Sequence, residues 1–168
     1  MRVGVLSDTH GLLRPEVIEA LAGVDLILHA GDVGGAGVLE RLGALAPVTA
    51  VSGNVDGGAL RRHLPRVAEV SVGGLVFVVT HGDRFGSPAP RQLREAYPRA
   101  DAIVFGHTHR VEISDPGDAA MVVNPGTAGP ARCGNAPSVA IVEVEPGRRP
   151  RARIVMLGGG GVRGKKGP

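Results

Sequence analysis

The chain has few aromatic residues and a single cysteine, and both shortages limit the kinds of site that it can build. It has no Trp, one Tyr and three Phe among 168 residues, so its core must consist mainly of Val, Leu, Ile and Ala. Cys133, the one cysteine, excludes an intramolecular disulfide and a cysteine-based zinc site. The N-terminal apolar run, residues 3–6, is too short for a signal or transmembrane segment. We therefore expect a cytoplasmic protein with no membrane partner.

The excess of positive charge is small and gives only weak support for nucleic-acid binding. Lys and Arg number 19 against 16 Asp and Glu, and much of the excess lies near the C-terminus, in residues 148–153 and 163–166. No aromatic residues alternate with these charges to stack on bases. A solvated basic tail is the main interpretation, and a nuclease or RNA-binding protein is kept as an alternative.

Apolar runs alternate with helical patterns in the first third of the chain. Strands are predicted at residues 2–6, 25–29 and 48–51, with helices at 15–22 and 36–45 between them. This order indicates that the fold begins with right-handed parallel α/β units.

The pattern changes to one in which short strands dominate. We predict a hairpin of strands 67–72 and 75–80, a helix at 90–97, and strands at 101–105, 111–114, 121–124, 138–144 and 151–157. The sum predicts an α/β (α+β) sandwich of mixed sheet with helices outside. We expect a single domain over residues 1–157 and a Gly/Lys-rich C-terminal tail at 158–168.

Five short polar segments follow apolar runs at nearly even intervals. They are Asp8-Thr9-His10, Gly31-Asp32, Gly53-Asn54, His81-Gly82 and Gly106-His107-Thr108-His109. The intervals match one strand plus its return connection, so each segment can lie at the same edge of one sheet. Together they offer two carboxylates, one amide and four imidazoles, a donor set that suits Mn, Fe, Zn, Co or Ni. We therefore predict a two-metal hydrolytic site.

The order and spacing of these segments resemble the calcineurin-like metallophosphoesterases, specifically their small single-domain phosphodiesterase subgroup. The resemblance covers Asp8 to about Arg132 and implies two mixed β-sheets flanked by helices. It also implies a metal-dependent phosphodiesterase with a dinuclear centre, a bridging hydroxide nucleophile and manganese as the first expectation for both metals. By position it assigns seven residues as catalytic and metal-binding: Asp8, His10 and His109 on the first metal, Asn54, His81 and His107 on the second, and Asp32 as the bridging carboxylate.

One departure from the family concerns the leaving group. Many family members place a His directly after the metal-binding Asn, where it helps to protonate the leaving group. Here Val55 stands in that position and cannot donate a proton. We therefore predict that a small phosphodiester with an acidic leaving group is a better substrate than an alkyl monoester.

Several other residues carry expectations of their own. Arg132 follows a stretch, 124–127, that resembles the family's Asn-Pro-Gly-Ser, and it either binds substrate phosphate or forms a structural ion pair. Asp56 either orients a ligand imidazole or is a plain turn residue. His29 is expected to be a core histidine, and His63 a surface residue.

Two further hypotheses follow from the resemblance. A eukaryotic retromer subunit with this fold acts mainly by binding partners, so a non-catalytic metal-binding scaffold is the alternative to an enzyme. Degeneration of that kind should erode the ligands, whereas all seven are present in this sequence. The resemblance also makes a homodimer an expectation.

Overall fold

The computed structural model describes residues 1–131 and 134–158, which form two five-stranded mixed sheets with helices. In the first sheet the strand order is β10-β9-β1-β2-β3. Its strands are β1 (Arg2–Leu6), β2 (Leu26–His29), β3 (Val48–Ala50), β9 (Ser138–Glu143) and β10 (Arg151–Met156). Strands β1, β2 and β3 are parallel and are linked by helices α1 (Pro15–Ala20) and α2 (Ala36–Gly43). Strands β9 and β10 run antiparallel to their neighbours.

The second sheet repeats this combination of a parallel centre and antiparallel edges. Its strand order is β4-β5-β6-β8-β7. The strands are β4 (Val67–Val72), β5 (Leu75–Thr80), β6 (Ala102–Val104), β7 (Val111–Ser114) and β8 (Met121–Pro125). Strands β5, β6 and β8 are parallel, whereas β4 and β7 pair antiparallel at the two edges. The remaining helices are α3 (Gly58–His63), α4 (Pro90–Ala96) and a 3-10 turn at Asp83–Phe85.

The core is aliphatic, as the shortage of aromatic residues requires. One buried cluster lies between the sheets and includes Val3 and Val5 of β1 together with Val79 and Val104. A second cluster packs the first sheet against α1 and α2, and a third packs the second sheet against α4. Each sheet is therefore covered on both faces. Because the side chains on both faces of the parallel strands are buried, these strands form continuous apolar runs in the sequence.

The polar segments meet at one end of the sandwich because they follow parallel strands of both sheets. Asp8, Asp32 and Asn54 come after β1, β2 and β3, whereas His81 and His107 come after β5 and β6. The expectation that all five segments share the edge of one sheet is therefore wrong. Spacing along the chain cannot distinguish one sheet from two, since that depends on which strands pair.

The predicted fold class is confirmed, with differences in the individual elements. Helices α1 and α2 end earlier than predicted, and α3 was not predicted at all. Helix α3 has no buried residue, so it lacks the apolar periodicity on which a helix prediction depends.

The single domain over residues 1–157 stays a prediction, and residues 159–168 of the predicted tail lie outside the described residues. In the part of the chain that is described, no helix is long and apolar enough to cross a membrane.

Candidate metal centre

Five of the seven predicted ligands have a backbone conformation that ordinary side chains rarely adopt. The φ angles are 56° at Asp8, 48° at His10, 53° at Asp32, 67° at His107 and 55° at His109. Among the described residues, these are the only non-glycine positions with positive φ. Each such residue costs about 1–3 kcal/mol, and strain of this kind collects at functional sites, where the surrounding structure imposes it.

The first group of candidate ligands surrounds the carboxylate of Asp8. Asp8, His10 and His109 offer ligand atoms that all lie within 4.8 Å of one another. Asp8 Oδ1 is 3.1 Å from Nε2 of His109 and 3.9 Å from Nε2 of His10. This oxygen is buried and accepts no hydrogen bond from the described residues. Because an unsatisfied buried oxygen is costly, the residues here fit a bound cation.

The second group is centred on the imidazole of His81. Its Nδ1–H donates to the Ala30 carbonyl at 2.8 Å, so Nε2 is the nitrogen that faces the centre, as a proton donor when the ring is protonated and as a metal ligand when it is neutral. Nε2 lies 3.0 Å from Oδ1 of Asn54 and 3.3 Å from Oδ2 of Asp32. The same Asn54 oxygen is 3.1 Å from Nδ1 of His107. Oxygen and nitrogen donor atoms therefore converge on one point, where a proton on Nε2 or a bound cation would offset the repulsion between them.

The pKa shifts in this group favour bound positive charge. Burial lowers the pKa of His81, but its hydrogen bond to Asp32 and the charges of Asp8 and Asp32 outweigh burial, and the net shift is upward. Burial raises the pKa of Asp32, but the hydrogen bond and charge of His81 and the N–H of Val55 reverse this, and the net shift is downward. Asp32 is therefore an anion that attracts a cation.

Asp8 is common to both groups. It belongs with His10 and His109 in one set, and with Asp32 and His81 in another set whose ligand atoms lie within 4.8 Å of one another. Its Oδ2 also accepts the N–H of His107 at 3.2 Å. The assignment of Asp32 as the bridging carboxylate stays a prediction, as do the individual ligand roles.

Glycines next to the ligands allow these close approaches. A Cβ atom on Gly53 would lie 2.0 Å from Oδ1 of Asp32, and one on Gly106 would lie 2.8 Å from Oδ2 of Asp8. Neither position has room for a side chain, so the Gly-Asp, Gly-Asn and Gly-His patterns of the sequence reflect packing at the centre.

Asp56 holds two of the ligand loops together. Its buried carboxylate accepts the N–H groups of Gly34 and Gly53, each at 2.8 Å. These hydrogen bonds connect the loop after Asp32 with the loop of Asn54. Of the two alternatives that the sequence left open, Asp56 orients backbone in a turn and does not hold an imidazole.

Asn124 has the same role for the histidine-containing loop, which sequence reasoning did not predict. Its Nδ2 donates to the Gly106 carbonyl at 2.9 Å and to Oγ1 of Thr108 at 3.0 Å. Its Oδ1 accepts the N–H of Gly126 at 2.9 Å. The signal was the position of Asn124 at the end of an apolar run, which forms β8 beside β6, and this pairing is visible only in three dimensions.

The two remaining histidines lie where the sequence predicted. His29 is fully buried, and its Nε2–H donates to Oγ1 of Thr9 at 2.9 Å, because the Thr9 hydroxyl itself donates to the Val33 carbonyl. Burial lowers the pKa of His29 to about 4, so it is a neutral core histidine at pH 7. His63 is exposed on α3. Arg132, the predicted phosphate contact, lies outside the described residues.

The sequence matches a known protein family over most of its length. The model for the calcineurin-like phosphoesterase superfamily domain matches residues 1–147. A relative named as a probable metallophosphoesterase from Methanothermobacter thermautotrophicus is 34% identical over 169 residues, which is 94% of this chain and 94% of the relative.

Two solved structures are also similar. A phosphoesterase from E. coli is 28% identical with a TM-score of 0.63, covering 85% of this chain and 88% of that chain. Vps29 from Chaetomium thermophilum has a TM-score of 0.76 at 19% identity, covering 94% of this chain and 96% of that chain, which shows the fold alone.

From the family match over residues 1–147 and the relative that is similar along nearly its whole length, we conclude that the chain belongs to the calcineurin-like phosphoesterase superfamily.

Proposed function

We propose that the protein is a metal-dependent phosphodiesterase that binds two divalent cations through its seven clustered side chains. The observation that carries the proposal is the convergence of two ligand groups on Asp8, whose buried Oδ1 accepts no hydrogen bond from the described residues. The family match makes a phosphoesterase reaction the natural use of such a centre. Manganese is the first candidate, since oxygen and imidazole donors accept it readily.

The seven predicted ligands have different proposed roles, which follow from their positions. Asp8, His10 and His109 would hold one cation, and Asn54, His81 and His107 the other, with Asp32 between them. When bound, two divalent ions supply positive charge for the phosphate oxygens and lower the pKa of an attacking water. The hydrogen bond from Nδ1 of His81 to the Ala30 carbonyl keeps Nε2 directed toward Asp32 and Asn54. Asp56 and Asn124 orient the loops, so that little reorganisation is needed when substrate binds.

Val55 supports a preference for good leaving groups. Its side chain is 57% exposed beside Asn54, and its N–H donates to Oδ1 of Asp32 at 3.0 Å. An isopropyl group cannot protonate a departing alkoxide, so the leaving group must depart as a stable anion. We propose that small diesters with phenolic or similarly acidic leaving groups are the preferred substrates.

The test is a panel of phosphate esters assayed on chelated protein and on protein restored with Mn²⁺. We expect bis(p-nitrophenyl) phosphate to be hydrolysed only after restoration, and faster than an alkyl monoester. The Val55→His variant should narrow that difference, since an imidazole can donate a proton. Faster turnover of the alkyl monoester by the unmodified protein would contradict the leaving-group argument. Tight metal binding without hydrolysis of any ester would favour the non-catalytic scaffold.

A further inference from the structure

Two arginines outside the predicted ligand set hold the main chain of the Asn54 loop. Arg61, on α3, donates from Nη2 to the carbonyl of Asn54. Arg66 donates from Nη1 to the carbonyl of Gly53 at 3.2 Å. Oδ1 of Asn54 lies 3.0 Å from Nε2 of His81. The guanidinium of Arg61 is therefore held at the backbone of Asn54, whose side chain is a predicted metal ligand.

The two guanidinium groups differ in their charge balance. Arg66 is paired with the carboxylate of Asp83, which neutralises it. Arg61 has no acidic partner among residues 1–131 and 134–158, and its one hydrogen bond goes to a neutral carbonyl. A guanidinium carries five N–H donors, so most of those of Arg61 remain available. In the described part of the chain, Arg61 is thus an exposed cation without an acidic partner, anchored next to a predicted metal ligand.

We propose that Arg61 binds a second phosphate group of the substrate while the reacting diester occupies the metal centre. This inference rests on the proposed function, because it takes the candidate metal centre as the position of the reacting phosphorus. A planar guanidinium pairs with phosphate through two parallel N–H···O bonds, which a lone ammonium group cannot form. The substrate class is therefore a small phosphodiester whose organic part carries a further phosphate, such as a phosphorylated nucleotide ester.

Anchoring explains why Arg61 is suited to this role and Arg62 is not. A flexible surface arginine loses side-chain entropy when it binds an anion, whereas Arg61 is already held by the Asn54 carbonyl. Arg62 is its neighbour on the same helix, is likewise exposed, and makes no hydrogen bond within the described part of the chain. It is a matched control for charge, exposure and helix position.

The test compares two substrates with the same reacting diester and the same leaving group. They are thymidine 5′-(p-nitrophenyl phosphate) and its 3′-phosphorylated counterpart, assayed with Mn²⁺-loaded protein at fixed ionic strength. We expect the unmodified protein to favour the 3′-phosphorylated ester in kcat/KM by about tenfold. Arg61→Ala should abolish this preference, Arg61→Lys should retain part of it, and Arg62→Ala should keep it.

Binding of the corresponding products separates this inference from the proposed function. Calorimetry should show that thymidine 3′,5′-bisphosphate binds the Mn²⁺-loaded protein more tightly than thymidine 5′-phosphate, and that only Arg61→Ala removes the difference. Equal losses on both compounds in Arg61→Ala would mean that Arg61 only positions the Asn54 loop, and would overturn the inference, as would the absence of any preference in the unmodified protein. An Arg61-dependent binding preference without hydrolysis would uphold the phosphate-binding role of Arg61 and reject the phosphodiesterase.

Discussion

Asp8 connects the two candidate ligand groups at the scale of a single side chain. It is fully buried, its Oδ2 accepts the N–H of His107, and its Oδ1 faces the imidazoles of His10 and His109. Asp32 lies 3.3 Å from His81 on the other side. Two carboxylates in a largely buried site repel each other, and a cation between them is the simplest source of balance.

Asp32 and His109 are predicted to differ in the number of cations that each one holds. Asp32→Asn removes the charge of the predicted bridging carboxylate, so we expect the affinity for both Mn²⁺ ions to fall by more than about tenfold. His109→Ala should weaken mainly one ion, because it belongs to one group only. Metal analysis after dialysis measures how many Mn²⁺ ions each variant retains. Two tightly held ions in Asp32→Asn would show that Asp32 is not the bridge.

A second prediction concerns His29 and the acid stability of the fold. Burial lowers its pKa from 6.5 to about 4, so between these values the unfolded chain binds the proton and the folded chain does not. Its stabilising contribution is complete above pH 6.5 and is lost as the pH falls toward 4, by about 3 kcal/mol in total.

The His29→Gln variant tests this sign, because glutamine can still donate to Thr9 but does not titrate. Urea unfolding of chelated protein at pH 7, 5.5 and 4 should show a shallower loss of stability in the variant. Chelation removes the pH dependence of metal binding from the comparison. Parallel stability curves for the two proteins would contradict a neutral buried His29.

Loops at the ends of strands are the elements that build the centre, and they are only partly predictable. The polar segments were found from sequence because each follows an apolar strand, such as β1 before Asp8. The positive φ at Asp8 and His107 was not, because Asp and His adopt this conformation more often than most residues but still at only a small minority of their positions. The loop-holding roles of Asp56 and Asn124 depend on contacts across the sheets. Arg61 was not singled out from the sequence, because it lies on α3, which has no buried residue and was not predicted.

A third prediction tests how tightly these loops pack. In Gly53→Ala the added methyl group would lie 2.0 Å from Oδ1 of Asp32, so the loop must move. We expect loss of metal binding and a destabilisation of about 1–3 kcal/mol. Gly57→Ala, in the same connection, is the control, since a Cβ there meets nothing within 4 Å. Metal content and thermal unfolding are measured for both variants. Unchanged metal content in Gly53→Ala would contradict the tight packing of this loop against Asp32.

The whole molecule brings ligands from two sheets to one end of the sandwich. Asp8, Asp32 and Asn54 depend on the first sheet, and His81 and His107 on the second. A cation held by both sets therefore links the sheets. The fold class was predictable from sequence, since the strand and helix order indicates it. The distribution of the ligands over two sheets was not predictable, because strand pairing is a tertiary property.

This link gives a prediction for global stability. Because bound ions favour the folded state by mass action, Mn²⁺ at 100 times its Kd should stabilise the protein by about 2.7 kcal/mol per site. Calorimetric Tm values of chelated and restored protein measure the effect, which His81→Ala should reduce. A Tm that does not respond to Mn²⁺ would mean that no cation joins the sheets.

The most direct measurement of the central claim is anomalous diffraction from crystals grown with Mn²⁺. We expect two anomalous peaks at the shared end of the sheets. One should lie beside Asp8, His10 and His109, and the other beside Asn54, His81 and His107. A single peak, or peaks away from these side chains, would contradict the two-cation centre on which the proposed phosphodiesterase depends.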